Sequence, residues 1–146
     1  MSGSGPDLCD SPNNYRIMQT RSINPHGWQA GFGYQQAVEV TGANSTLYVA
    51  GQAAIAPDGT PSEADMLSQL NDSIGYLEEV LDKAGYAPSN IVRLTVYTTD
   101  HDGLLPHFPV LTEWLNKNHV QSAMTLLTVR QLYGPLKVEL EATAVR

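Results

Sequence analysis

Across residues 122–146 two runs of strand-forming residues face each other over a turn at Tyr133, Gly134 and Pro135. The second run alternates strictly from Lys137 to Val145. A strand period of two puts Val138, Leu140, Ala142 and Ala144 on one face and Lys137, Glu139, Glu141 and Thr143 on the other. The apolar set requires a core beneath it, and two carboxylates project together from the opposite side. In the first run, Ser122, Met124, Leu126 and Thr128 share a face by the same rule.

Upstream, Gln36 to Val40 and Thr46 to Ala50 read as strands joined through the hairpin-like connection 41–45. Tyr15 to Ser22 reads as an edge strand, followed by a turn at Asn24-Pro25-His26-Gly27. The clearest helix starts at Ser62, an expected N-cap with Asp65 completing a capping box. Met66, Leu70, Ile74, Leu77, Leu81 and Ala84 then recur at three and four residues, leaving Glu63, Gln69, Asp72, Glu79 and Lys83 off the stripe. Gly85 supplies a left-handed C-cap. Ile91 to Thr98 reads as a strand covered on both faces. A second helix starts between Pro106 and Pro109 and runs to about Lys117, with Val110, Leu111, Trp114 and Leu115 facing inward.

This order of elements predicts an α+β domain with both helices on one face of a mixed sheet. Residues 1–14, rich in Gly, Ser, Pro, Asp and Asn, read as a flexible tail, and a single domain occupies 15–146. The other sheet face, expected to carry Val, Leu and Tyr, must be buried against something, and three copies around a central barrel would achieve this.

Eight Lys and Arg against fifteen Asp and Glu give a formal charge of -7, which argues against nucleic-acid and anionic-membrane surfaces. The lone Cys9 excludes an intramolecular disulfide and a Cys-rich zinc site. His26, His101, His107 and His119 lack metal-ligand spacing, so no metal and no cofactor are expected. No apolar run approaches the roughly 18 residues of a membrane span, and no leader pattern precedes the domain, which points to the cytoplasm.

Taken with Tyr48-Val49-Ala50-Gly51-Gln52, the ending Glu139-Leu140-Glu141-Ala142 resembles the reactive-intermediate deaminase (Rid, YjgF-type) family from about Gly31 to Arg146. The resemblance implies a chorismate-mutase-like fold, a homotrimer with sites in clefts between subunits, and cofactor-independent hydrolysis of an enamine or imine small molecule to a ketone and ammonia. Glu141 matches the glutamate that manages the hydrolytic water. Tyr34 matches a cleft tyrosine able to hydrogen-bond a carbonyl or imine nitrogen, and Gly51 a glycine whose backbone approaches the ligand. Trp28 and Phe108 fall in segments that border the cleft. Members acting on 2-imino acids hold the substrate carboxylate with an arginine in Pro-Ala-Arg-Thr or Pro-Ala-Arg-Ser. The matching segment here is Ser122-Ala123-Met124-Thr125. Met124 offers neither the charge nor the donors of that arginine. A standard 2-imino-acid deaminase is therefore not expected. Alternatives are an isomerase, dehydratase or cyclase of secondary metabolism, and a non-enzymatic trimer that binds a small ligand or a protein. Without the resemblance, Glu141 is a solvated strand glutamate, Met124 a core residue, and Tyr34, Trp28 and Phe108 interface or core aromatics.

Overall fold

A computed structural model describes residues 17–146. The expected tail at 1–14, Cys9 and the strand start at Tyr15 lie outside the described residues. Strand β1 (Gln19–Ile23) pairs antiparallel with β2 (Ala37–Thr41). A four-stranded mixed sheet has the order β3 (Thr46–Ala53), β6 (Val138–Val145), β4 (Ile91–Thr98), β5 (Ala123–Thr128). β4 and β5 run parallel, and the other pairs are antiparallel. A parallel bridge at Gln35 and Ala123 links the two sheets. Helices α1 (Met66–Ala84) and α3 (Phe108–Lys117) belong to one layer, with the single turn α2 (His101–Leu104) preceding α3.

The expected α+β class with a mixed sheet is observed, but two expected pairings are not. The connection 41–45 does not close a hairpin between β2 and β3. The amides of Asn44 and Ser45 instead donate to the Arg146 carbonyl at 2.8 and 2.9 Å, tying the start of β3 to the chain's end. Nor do β5 and β6 face each other directly, because β4 lies between them. Their connector straddles the end of β4: Val129 N–H donates to the Thr98 carbonyl at 2.8 Å, and Thr99 N–H to the Lys137 carbonyl at 3.1 Å.

Helix α1 is capped by Asp65 rather than Ser62. The Asp65 carboxylate accepts from the Ser68 amide at 2.8 Å, while Ser62 Oγ accepts from Ala64 N–H in a tight turn upstream. Gly85 takes the expected left-handed conformation with φ of 75° and closes the helix through its amide. Leu70, Leu77 and Leu81 pack fully buried in the same core as Leu94, Val96 and Leu140 of the sheet. Each such side chain contributes about 1.5–3 kcal/mol relative to exposure. Leu111, Leu115 and Phe108 complete the core from α3, with Val110 and Trp114 half-buried beside it.

Gln69 departs from its expected solvent position and is completely buried. Its Nε2 donates to the carbonyls of Ser62 and Ala64 at 3.2 and 3.0 Å, and its Oε1 accepts from Lys137 N–H at 2.8 Å. A buried amide is tolerated because these bonds replace those it had with water. Gln69 thereby joins the start of α1 to the start of β6.

The uncovered sheet face is more polar than expected. Within one chain β4 is not covered on both sides, since Arg93 is exposed and Tyr97 half-buried there. Thr, Tyr and Glu dominate this face, with Leu127 and Tyr48 as its exposed large apolar groups.

Candidate functional site

Residues paired across neighbouring strands project to the same side of a sheet, so the register locates each candidate. Met124, Leu94 and Ala142 form one row, and Leu94 is part of the core beneath the helices. Thr125, Thr95 and Glu141 form the adjacent row and point the opposite way. Met124 and Glu141 of one chain therefore occupy opposite faces of one sheet.

On the helix side, Trp28, Tyr34, Phe108 and Met124 converge on a cleft of about 260 Å³. Trp28 meets Tyr34 edge to face with ring centres 6.2 Å apart. Phe108 is nearly buried and supports Phe32 in a similar contact at 6.3 Å. Trp28 is 64% exposed and stands at the cleft's mouth. Among the described residues that line this cleft there is no lysine or arginine.

His101, which shows no metal-ligand spacing in the sequence, also lines it. Its Nδ1 lies 3.2 Å from the Asp102 carboxylate, which can orient the imidazole. Its position is legible in the sequence, since Asp100, His101 and Asp102 lie just past the end of β4 at Thr98.

On the open side, Glu141 is exposed in the single chain. Its carboxylate accepts from the Tyr97 hydroxyl at 3.1 Å. That bond, with burial and the nearby negative charges, holds the Tyr97 phenol above its ordinary value. Alternation along β4 would have placed Arg93, Thr95 and Tyr97 on this face, but the expectation of cover on both sides concealed it. Arg93 donates to Thr125 Oγ1 at 3.0 Å, so Thr125 belongs to the carboxylate's side and not to the Met124 cleft.

Strand β3 shifts register between Val49 and Gln52, leaving an extra residue opposite Glu141. Such bulges bend a strand and re-aim its neighbours. Gly51 lies in the bulge, inside the strand rather than at its end. A Cβ at Gly51 would overlap the Glu139 carboxylate, which packs across this backbone. Glycine is what allows that close approach.

Glu139 is the more buried of the two carboxylates. Burial raises its pKa, and the charge of Glu141 raises it further. The fold therefore favours the protonated Glu139. Its contribution to stability is complete below the unfolded value and is lost as pH rises through the raised folded value. Glu139→Gln should remove this loss, so its melting temperature should fall less than the wild type's between weakly acidic and neutral pH. Identical pH dependence in the two proteins would show that the burial of Glu139 carries no such linkage.

Residues 27–146 match the family model described as Endoribonuclease L-PSP. A solved structure of a Rid-family protein from Yersinia pestis is 32% identical, with a TM-score of 0.77 over 87% of this chain and 98% of that one. The chain belongs to the Rid/YjgF family. Among its Rid relatives, a RutC family protein of Aquifex aeolicus is 28% identical over 113 residues, covering 77% of this chain and 88% of that protein. The YjgF gene product of E. coli shares the fold at 24% identity, with a TM-score of 0.63 over 77% of this chain and 87% of that one. In this Rid chain the expected residues thus fall into two groups: Trp28, Tyr34, Phe108 and Met124 together, and Gly51, Thr125 and Glu141 on the reverse of the sheet.

Proposed function

We propose that this Rid protein is a cofactor-independent enzyme that hydrolyses an uncharged, apolar imine or enamine, or acts on a related carbonyl compound, in the cytoplasm. The observation that carries this reading is the Met124 cleft, whose described lining is aromatic and aliphatic and includes no lysine or arginine. A substrate carboxylate placed there would lose water without gaining a cation, at a cost of about 1–3 kcal/mol or more. Neither Arg93 nor Arg130 lines the cleft and could substitute for one. Tyr34 and His101 supply the polar contacts for a carbonyl or imine nitrogen, and Glu141 exchanges the proton with water or substrate. Isomerisation, dehydration or cyclisation of a secondary metabolite would use the same groups. RNA cleavage, which the family model's description names, is disfavoured by the formal charge of -7.

Because the cleft and Glu141 lie on opposite faces of one sheet, a shared site requires two copies. A ring of three supplies it if the cleft side of one copy meets the open sheet face of the next, a heterologous contact that closes by rotation. Exposed apolar side chains stand on both surfaces: Trp28 on one, Tyr48 and Leu127 on the other. Sedimentation should give a particle near three times the 15.9 kDa chain mass. A stable monomer at micromolar concentration would overturn the shared site. Should the trimer form yet no imine be turned over, the ligand-binding alternative gains.

A further inference from the structure

A second cavity of about 630 Å³ runs along α3 beside the Met124 cleft. Phe32, Leu105 and Phe108 line both spaces, so the two adjoin across this apolar wall. Two of its three members are partly exposed: Phe32 and Leu105 are 48% and 43% exposed and sit on short 3-10 turns. Phe108 is held in the core and forms a fixed sill between the spaces. The backbone under Phe32 is fixed as well, because its carbonyl accepts from Thr112 Oγ1 at 3.2 Å and so ties the turn to α3. Rotation of the Phe32 and Leu105 side chains would therefore join the cavities without moving a helix.

The two ends differ in chemistry. The Met124 end is small and offers Tyr34 and His101 to a polar head. The α3 end is larger, has Pro109 and Phe108 along its wall, and opens past the exposed residues Glu113, Asn116 and Lys117 to solvent. Small-molecule sites are commonly about 300–1,000 Å³, mostly apolar, with a few placed polar groups. A compact amino-acid-derived imine would leave most of this space unfilled.

We infer that the site takes an elongated neutral aryl-alkyl carbonyl or imine compound, its carbonyl or imine head beside Tyr34 and Met124 and its alkyl chain passing Phe32 into the cavity along α3. This deepens and rests on the proposed function, naming the class of its substrate. No bond is made or broken in binding, so it can be tested without knowing the natural reaction.

Phenyl n-alkyl ketones, from acetophenone to octanophenone, serve as probes because each presents the neutral carbonyl that imine hydrolysis would leave. Affinity for the full-length protein, measured by calorimetry, should rise roughly threefold to fourfold per added methylene while the chain enters the second cavity. Thr112→Trp and Glu113→Trp place a bulky ring in the α3 cavity alone. Each should flatten the series at its long end and leave acetophenone binding unchanged. Glu113 is exposed, so its variant keeps the test open even if replacement of Thr112 disturbs the turn. An affinity that does not grow with chain length, growth that neither variant reduces, or failure of every ketone to bind would overturn the inference. The first two results leave the enzyme reading intact, since turnover by wild type and the Glu141→Gln variant tests that separately.

Discussion

Glu141→Gln should lower turnover of an apolar imine by about two to four orders of magnitude, while the assembly and its melting temperature stay nearly unchanged. Glutamine preserves the length of the side chain, and its carbonyl can still accept the bond from Tyr97 that Glu141 accepts at 3.1 Å. It cannot take up and return a proton near neutral pH. Because Glu141 is exposed on the open sheet face, its replacement removes no core contact. Glu139→Gln should affect the rate mildly, since that carboxylate lies against Gly51 and is held toward its protonated form. Steady-state kinetics on the two variants separate the roles. Equal behaviour, or full activity of Glu141→Gln, would make the exposed carboxylate structural and bring the ligand-binding alternative forward.

Met124→Arg should confer activity on 2-imino acids generated from common amino acids, raising kcat/KM by about ten- to a hundredfold, as expected for a charge-assisted hydrogen bond. The half-buried methionine lines the cleft while packing against the core. An arginine stem can follow the thioether's path and carry its guanidinium toward the mouth. The same change should lower stability by about 1–3 kcal/mol through the larger side chain. Robust wild-type turnover of these imines would mean that a cation from elsewhere enters the site, and the variant would then add little.

Local pattern made much of this fold readable. The alternation in β6 and the three-and-four spacing of leucines in α1 depend only on near neighbours, and both elements form where that spacing puts them. Strand partners depend on contacts far apart in sequence, which is why the insertion of β4 between β5 and β6 was not foreseen. Ser62 and Asp65 are both suitable caps, and the turn formed by Ser62 leaves Asp65 as the residue at the helix entrance. Gln69 carries a polar side chain whose burial depends on three backbone groups, those of Ser62 and Ala64 just before the helix and that of Lys137 far along the chain, information absent from the helix itself. The site shows the same division. Trp28, Tyr34, Phe108 and Met124, which the resemblance singled out, line one cleft, but only the strand register showed that Thr125 and Glu141 face away from them.

The sheet that stands between the Met124 row and the Glu141 row also bears on how such a protein can change over generations. In one chain the two groups touch different neighbours, so the effects of replacements on the two faces on that chain's stability should combine nearly additively. A lineage can therefore alter what it admits, by substitutions among Trp28, Phe108 and Met124, without first disturbing the residues that would handle protons. Selection can then act on the two properties one at a time.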